Sequence, residues 1–418
     1  MYNRFLCAIP ACAVILGACA APPTQPDATV PIDFPRADIP ASPFVPGQAY
    51  FGRNNYVEYV AGNAPVIFTA PHGGALAPSE IPYRTASACG GSATTATDLN
   101  TAELVRSMQQ RYFARFGKYP HIVIMHLARK KVDANRTAPE AACGDPEAEI
   151  AYNEWHDFIV TAKSAALGSS GKGWYMDMHG HGHSIQRLEL GYLLTASQIN
   201  LSDASFDATA AFQDTASIRT LSQAAPVSFT ALLRGGSSLG TLYADNGFRS
   251  IPSSAEPRPN AESYFSGGDN VRRHACGAEA TAFGGVTGGN ICGVQIEANF
   301  TGVRDNASNR DRFGDVTATV LQEYLSVHWG LQLGAGAPPA PITLSTRGYK
   351  VKGLARVDLT WTGASRASID AYRNSVKITS TPNDGVHTDV IGKVTGTFVY
   401  KVCNAGTTAC SGNSSVTF

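Results

Sequence analysis

The chain has 418 residues with 33 basic and 33 acidic side chains, so its formal net charge is zero. That balance excludes the positive field on which nucleic-acid binding through phosphate contacts depends. Only 16% of the residues are charged and 41 are glycine, which fits a loop-rich exported protein long enough for two or three domains.

Residues 1–18 carry one arginine, Arg4, and an apolar run ending Leu16-Gly17-Ala18 directly before Cys19, which reads as a signal peptide. Leu-Gly-Ala-Cys resembles a bacterial lipobox. It implies cleavage before Cys19, a diacylglycerol on that cysteine and a lipid-anchored place in the bacterial cell envelope, at the outer membrane. An ordinary signal peptide cut nearby is the competing reading. Pro10 and the shortness of the run argue against a membrane-spanning helix. With Cys7, Cys12 and Cys19 set aside, six of the nine cysteines remain, an even number in an oxidising compartment. Their spacing favours Cys403–Cys410, Cys276–Cys292 and Cys89–Cys143 as pairs, and none has the short spacing of a zinc site.

Residues 19–49 are rich in proline and small residues, as a flexible tether would be. Strands are predicted between Tyr56 and Ala70, ending before Pro71-His72-Gly73-Gly74. Thr97-Asp98-Leu99-Asn100 opens a helix running to about Arg115, with Asp98 a candidate N-cap. A strand from His121 to Leu127 precedes Asp133-Ala134-Asn135-Arg136. The spacing over Glu147 to Leu167 predicts a helix whose stripe of Tyr152, Trp155, Phe158 and Ile159 is core.

The stretch Trp174-Tyr-Met-Asp177-Met-His179-Gly-His181-Gly-His183 follows. On a strand Asp177 and His179 share one face, and the glycines permit a sharp turn at the strand end, where open α/β sheets place their ligands. A solvated histidine-rich turn is the plainer alternative. Leu188 to Leu194 is predicted as the neighbour of that strand, and Ser205 to Leu233 as helical with a break at Pro226. The polar span from Gly235 to Gly289 reads as a lid or wall. Gly293 to Asn299 is a last buried strand carrying Glu297, and Asp311 to Trp329 a closing helix. Strands alternating with helices over residues 50–334 predict an α/β domain with a mostly parallel or mixed sheet.

Residues 335–340 form a proline-rich linker, and residues 341–418 show only short alternating strands and the turn Asn383-Asp384-Gly385. Val357-Asp-Leu-Thr-Trp361, Tyr372-Arg-Asn374 and Tyr400-Lys-Val-Cys403 resemble the signature of a fibronectin type III β-sandwich. Such a module would act in spacing or binding.

His72 and His179 at neighbouring strand ends, joined by one carboxylate, would form a two-histidine, one-carboxylate zinc site with an open position for water. Cobalt and nickel are chemically acceptable occupants as well. Glu297 would then be the general base, unless an arginine simply neutralises it. Arg136 offers a planar fork for a substrate carboxylate, with Asn135 an added donor; a structural salt bridge is the alternative.

Pro71-His72-Gly-Gly, Thr97-Asp98, Asp133-Ala-Asn135-Arg136, Asp177-Met-His179, Gly267-Gly268 and Gln295-Ile-Glu297 occur in this order in N-formylglutamate amidohydrolases, which the chain resembles from about Tyr56 to Gly330. That family is distantly similar to the zinc carboxypeptidases. The resemblance implies a phosphorylase/hydrolase-like α/β fold, one zinc per chain on His72 and His179, Arg136, Asn135 and Gly268 at the substrate, and Glu297 as base. The carboxypeptidases take a glutamate three residues after the first histidine, where this chain has Ala75. Asp98 is therefore the expected third ligand, Glu80 the fallback and Asp177 a group that orients a ligand histidine. The lipobox and the C-terminal module depart from the family and make formylglutamate itself an unexpected substrate. The expected substrate is a small peptide-like or carboxylate-bearing molecule. A non-catalytic peptide- or glycan-binding lipoprotein is the rival expectation, whereas a serine esterase lacks its Gly-x-Ser-x-Gly elbow.

Overall fold

The computed structural model describes residues 44–418 apart from 92, 278–288, 335–341, 365, 367 and 406–409. The signal sequence, Cys19, most of the tether and the 335–340 linker lie outside the described residues. Among the described residues no helix is long and apolar enough to cross a membrane.

Eight strands build one mixed sheet: β1 (Ala49–Phe51), β2 (Val57–Val60), β3 (Val66–Ala70), β4 (His121–Met125), β5 (Gly173–Gly180), β6 (Leu188–Gly191), β7 (Ser250–Ile251) and β8 (Ile291–Ala298). Their spatial order is β1-β2-β4-β3-β5-β8-β6-β7. The four central strands β4, β3, β5 and β8 run parallel. Central parallel strands are covered on both faces, and they read as unbroken apolar runs for that reason. Side chains alternate between the two faces. Val66, Phe68, Trp174 and Met176 join one core with Leu104, Tyr112, Tyr324 and Leu325. Ile67, Val123 and Tyr175 join the other with Trp155, Phe158 and Ile159.

The covering helices are α1 (Thr101–Phe116), α2 (Pro146–Ser170), α3 (Asp269–His274) and α4 (Ala307–Trp329). Helix α2 starts where Asp145 accepts the Ala148 amide and Pro146 takes the first turn; it stops at Gly171, whose φ of 67° suits glycine. Trp155, Phe158 and Ile159 are fully buried, each contributing roughly 1.5–3 kcal/mol of apolar burial. The predicted stripe is thus core.

Three expectations need correction. β5 is flanked by β3 and β8, and β6 lies beyond β8, antiparallel to it. Ser205 to Leu233 is divided among short helices, Asp203–Asp207, Ala210–Thr215, Arg219–Ala224 and Phe229–Arg234. Ala216 and Ala225 turn extended between them, and Ser202 and Ser228 each cap a new start. The 235–289 span also carries structure, namely the helix Leu239–Asp245, β7 and α3, with residues 278–288 outside the described set.

The C-terminal strands form two antiparallel sheets. One holds β9 (Thr343–Val351), β10 (Leu354–Thr362) and β13 (Val386–Gly392); the other holds β11 (Ser368–Arg373), β12 (Val376–Pro382), β14 (Thr397–Asn404) and β15 (Ser414–Thr417). Val357, Leu359, Trp361, Ile369, Tyr400 and Val402 fill the space between. Asn383 in the predicted turn accepts the Trp361 indole N–H at 2.8 Å. Arg366 reaches out of this module to the carbonyl of Gly236 at 2.6 Å and to Glu323 at 2.9 Å. The three cysteine pairs anticipated from spacing are all bonded.

On β2, Glu58 accepts from Arg106 of α1 at 2.8 Å and lies 2.8 Å from His126 after β4. Burial pushes its carboxyl up, but the bonds from His126 and Arg106 prevail and hold it down at about 2. A depressed carboxylate stabilises the fold above its unfolded value near 4.5, and that contribution is lost as pH falls from about 4.5 through 2. Arg106 is 41% exposed, so we expect only about 1–2 kcal/mol. In urea titrations the advantage of the parent over Glu58→Gln should be present at neutral pH and vanish in acid; a constant difference would exclude this origin.

Candidate metal centre

The carboxyl ends of the parallel strands gather the site. His72 follows β3, Asp133 follows β4, His179 closes β5 and Glu297 closes β8, each at the edge where open α/β sheets bind ligands. Register places Asp177 beside Gln295 and His179 beside Glu297, so these four side chains share a face. Gly74 allows the loop after His72 to press against the His126 backbone, which a Cβ would meet at 2.3 Å.

Asp98 comes from the loop before α1. It is not the N-cap: Asn100 takes that place at φ 65°, and the Asp98 carbonyl accepts the Thr101 hydroxyl at 2.9 Å. Its side chain is thereby left for the histidines. Asp98 Oδ2 lies 3.3 Å from His72 Nδ1 and 3.3 Å from His179 Nδ1. His72, Asp98 and His179 are all buried and present ligand atoms within 4.8 Å of one another. The far ring nitrogens are occupied. His72 Nε2 lies 2.6 Å from Asp133 Oδ1, and His179 Nε2 lies 2.8 Å from Asp177 Oδ2. Carboxylates accept only, so they hold ring protons at Nε2, and in the neutral rings that a cation requires both Nδ1 lone pairs would face the space beside the Asp98 oxygen.

Donors about 2.0–2.2 Å from a tetrahedral ion stand about 3.3–3.6 Å apart. The two measured separations fit that requirement, and so does the chemistry of the donor set. Asp177, the residue expected to orient a ligand histidine, lies 2.8 Å from His179 Nε2 and accepts from Thr69 at 2.6 Å and Asn270 at 3.1 Å. Glu80 is exposed, bonds the Tyr56 hydroxyl and is no member of the cluster.

The charges favour a cation. Burial pushes the Asp98 carboxyl up, yet bonds from His179 and His72 outweigh it and hold it well below the usual range. Burial pushes the His179 ring down, but Asp177 and then Asp98 carry it up to about 10. Glu297 moves the other way. Burial raises its carboxyl to about 7, with His179 opposing and Asp98 adding. Its Oε1 lies 4.0 Å from His179 Nδ1 and accepts from Gln295 at 2.9 Å.

Asn135 is buried and engaged at both ends. Its Oδ1 accepts the Asn270 backbone amide at 2.8 Å, and its Nδ2 lies 3.3 Å from Gln295 Oε1 and 3.3 Å from His179 Nε2. Gly268 is what lets α3 approach it, since a Cβ there would stand 2.4 Å from the Asn135 amide nitrogen. Arg136 donates to the Asn135 carbonyl at 2.8 Å and has no ion-pair partner among the described residues.

Sequence reasoning missed several residues around the site. Asp133 stood inside a recognised motif, and Arg129, four residues earlier, donates to it at 2.9 Å. Arg304 gave no signal at all. It is 3% exposed and donates to the carbonyls of Ala298 at 3.0 Å, of His181 at 3.4 Å and of Leu99. One buried cation thus ties together the loops that bear Glu297, His179 and Asp98.

A structure of N-formylglutamate amidohydrolase from Ralstonia eutropha JMP134 is similar over 66% of this chain and 99% of its own, with a TM-score of 0.38 and 11% identity. No family model matches the chain, and no curated protein matches it.

Proposed function

We propose that the protein is a metal-dependent hydrolase that cleaves an amide or peptide bond near a free carboxylate, with one zinc per chain held by His72, Asp98 and His179. What supports this most is the convergence of two histidine Nδ1 atoms on one Asp98 oxygen, with both Nε2 atoms fixed by separate carboxylates. A zinc ion bound there supplies a Lewis acid that polarises a carbonyl and lowers the pKa of water toward about 7.

The chain's own residues do the rest. Glu297, with a carboxyl raised to about 7, takes a proton from the attacking water near neutral pH. Gln295 donates to the Glu297 carboxylate and fixes which oxygen faces the site. Arg136, free of an ion pair among the described residues, grips the substrate carboxylate through its two-pronged fork. Asn135 and Gly268 hold the wall beside it, Asn135 through Gln295 and Asn270. A lipid anchor at Cys19 would keep this activity in the envelope, where peptide fragments are the fitting substrate class.

Elemental analysis of the purified parent should find about one zinc per chain, removable by chelator. The His72→Ala His179→Ala double variant should retain less than about a tenth of it, since three donors make the site. Zinc kept by that variant would reject the ligands, and a parent unable to take up zinc at neutral pH would favour a non-catalytic binding protein.

A further inference from the structure

The two later histidines of the strand-end turn differ in what they leave free. His181 is consumed by the chain: its Nε2 lies 2.8 Å from the Arg187 carbonyl and its Nδ1 accepts the His183 amide at 3.1 Å. No lone pair remains for a cation, although His181, His183 and Glu189 offer ligand atoms within 4.8 Å of one another. His181 is a brace for the turn.

His183 is built differently. Its Nδ1 lies 2.8 Å from Glu189 Oε1; the carboxylate side chain is fully buried, whereas the imidazole keeps 24% of its surface exposed. The other Glu189 oxygen accepts the Phe265 amide at 2.8 Å. The Phe265 ring stacks on the imidazole at 4.7 Å with 9° between the planes. An acceptor-only carboxylate fixes a proton at Nδ1, which leaves Nε2 as the ring atom turned away from Glu189. Nε2 has no protein partner among the described residues.

The place of this pair matters. Glu189 lies opposite Glu297 in the β6–β8 register, as His179 lies beside Glu297 on the other flank. Directly opposed residues project to one face, so His179, Glu297 and Glu189 form a row across the sheet. The accessible imidazole stands at the end of that row, held by Glu189, whose position on β6 faces that of Glu297 on β8.

We propose that His183, oriented by Glu189 and Phe265, is the general acid that protonates the leaving nitrogen; this rests on the hydrolase reading given above. Glu297 takes a proton from water as the water oxygen bonds to the carbonyl carbon. The carbon–nitrogen bond breaks with its electron pair on nitrogen, and the imidazolium Nε2–H delivers a proton there. The proton on Glu297 returns through solvent to His183, which restores both groups. Glu189, a positioning residue, balances the imidazolium charge and holds the ring in one tautomer.

The test uses zinc-loaded full-length protein and a panel of N-acyl amino acids and N-acetyl dipeptides, beside the p-nitrophenyl ester of the same acyl group. His183→Phe keeps a ring against Phe265 without nitrogens, and His183→Asn keeps a donor to Glu189 without an atom at Nε2. Both should lower kcat on amides by about a hundredfold with KM within about threefold, at unchanged zinc content. The activated ester, whose leaving group requires no proton, should change by less than about threefold. Glu189→Gln should fall between. Amide turnover within about threefold of the parent, or equal losses on amide and ester, would overturn the proposal while the hydrolase reading stands. A parent that hydrolyses nothing in the panel would overturn both.

Discussion

Glu297→Gln is expected to lower kcat on the best amide substrate by about a thousandfold, near 4 kcal/mol of transition-state stabilisation, with bound zinc unchanged. The reason is positional. Glu297 is 6% exposed at the end of β8 and touches the cluster only through His179 at 4.0 Å, outside the triad of close donors. The amide of glutamine keeps the shape and can still bond Gln295, but it takes no proton at neutral pH. Metal content and folding should therefore survive while turnover does not. Parallel measurement of zinc by elemental analysis and of kcat and KM by product formation checks this. Turnover within about threefold of the parent would remove Glu297 as the base, and lost zinc would recast it as a ligand.

The second large effect belongs to Arg304→Ala. The guanidinium is 3% exposed and satisfies carbonyls of three loops, and its own carbonyl accepts the Asn100 amide at 2.8 Å. Deleting it strands the Ala298, His181 and Leu99 carbonyls and removes a positive charge that faces Asp98 and Glu297. We expect a loss of roughly 3–5 kcal/mol and a Tm lower by roughly 10 °C, from the cost of breaking one side of a buried polar network. Zinc affinity should drop as well, because Asp98 and His179 lose their common support. Arg304→Lys keeps the charge but not the fork, so it should recover only part of the stability. Calorimetry with and without zinc reads both effects; a Tm within about 2 °C of the parent would show the loops to be held otherwise.

The contrast between these two positions explains what was legible. Glu297 is the carboxylate at the end of an apolar run, Gly293-Val-Gln-Ile, and strand periodicity alone puts it at the sheet edge. His72 and His179 could be read in the same way, as could the helical stripe of α2. Asp98 was harder, since its loop allows both a cap and a ligand. Only the backbone at Asn100, in the left-handed region at φ 65°, removed it from the helix end and turned its carboxylate toward the histidines. Arg304 was invisible because its partners are main-chain carbonyls far apart in the chain, and a carbonyl has no identity in the sequence.

The divided 203–234 region and the place of β6 make the same point for the fold. Helical composition there was real, but Ser and Asp caps competed with continuation, and local propensity does not decide where one short helix yields to the next. Strand adjacency is not local either. β8 entered between β5 and β6 from about a hundred residues away, because its eight buried residues pair in register with β5 along its whole length.

The sequence by itself determined the class of fold and the apolar strands with polar ends, and it singled out the favoured cysteine pairs and the candidate residues His72, His179 and Glu297, because these are patterns of period, spacing and composition. Tertiary structure alone decided which carboxylate joins the histidines, which ring nitrogens are free, and that His183 is poised on Glu189 while His181 is spent on the backbone. Those choices depend on distances of about 3 Å between groups remote in the chain, and hydrogen-bond geometry at that range is set by packing rather than by residue type.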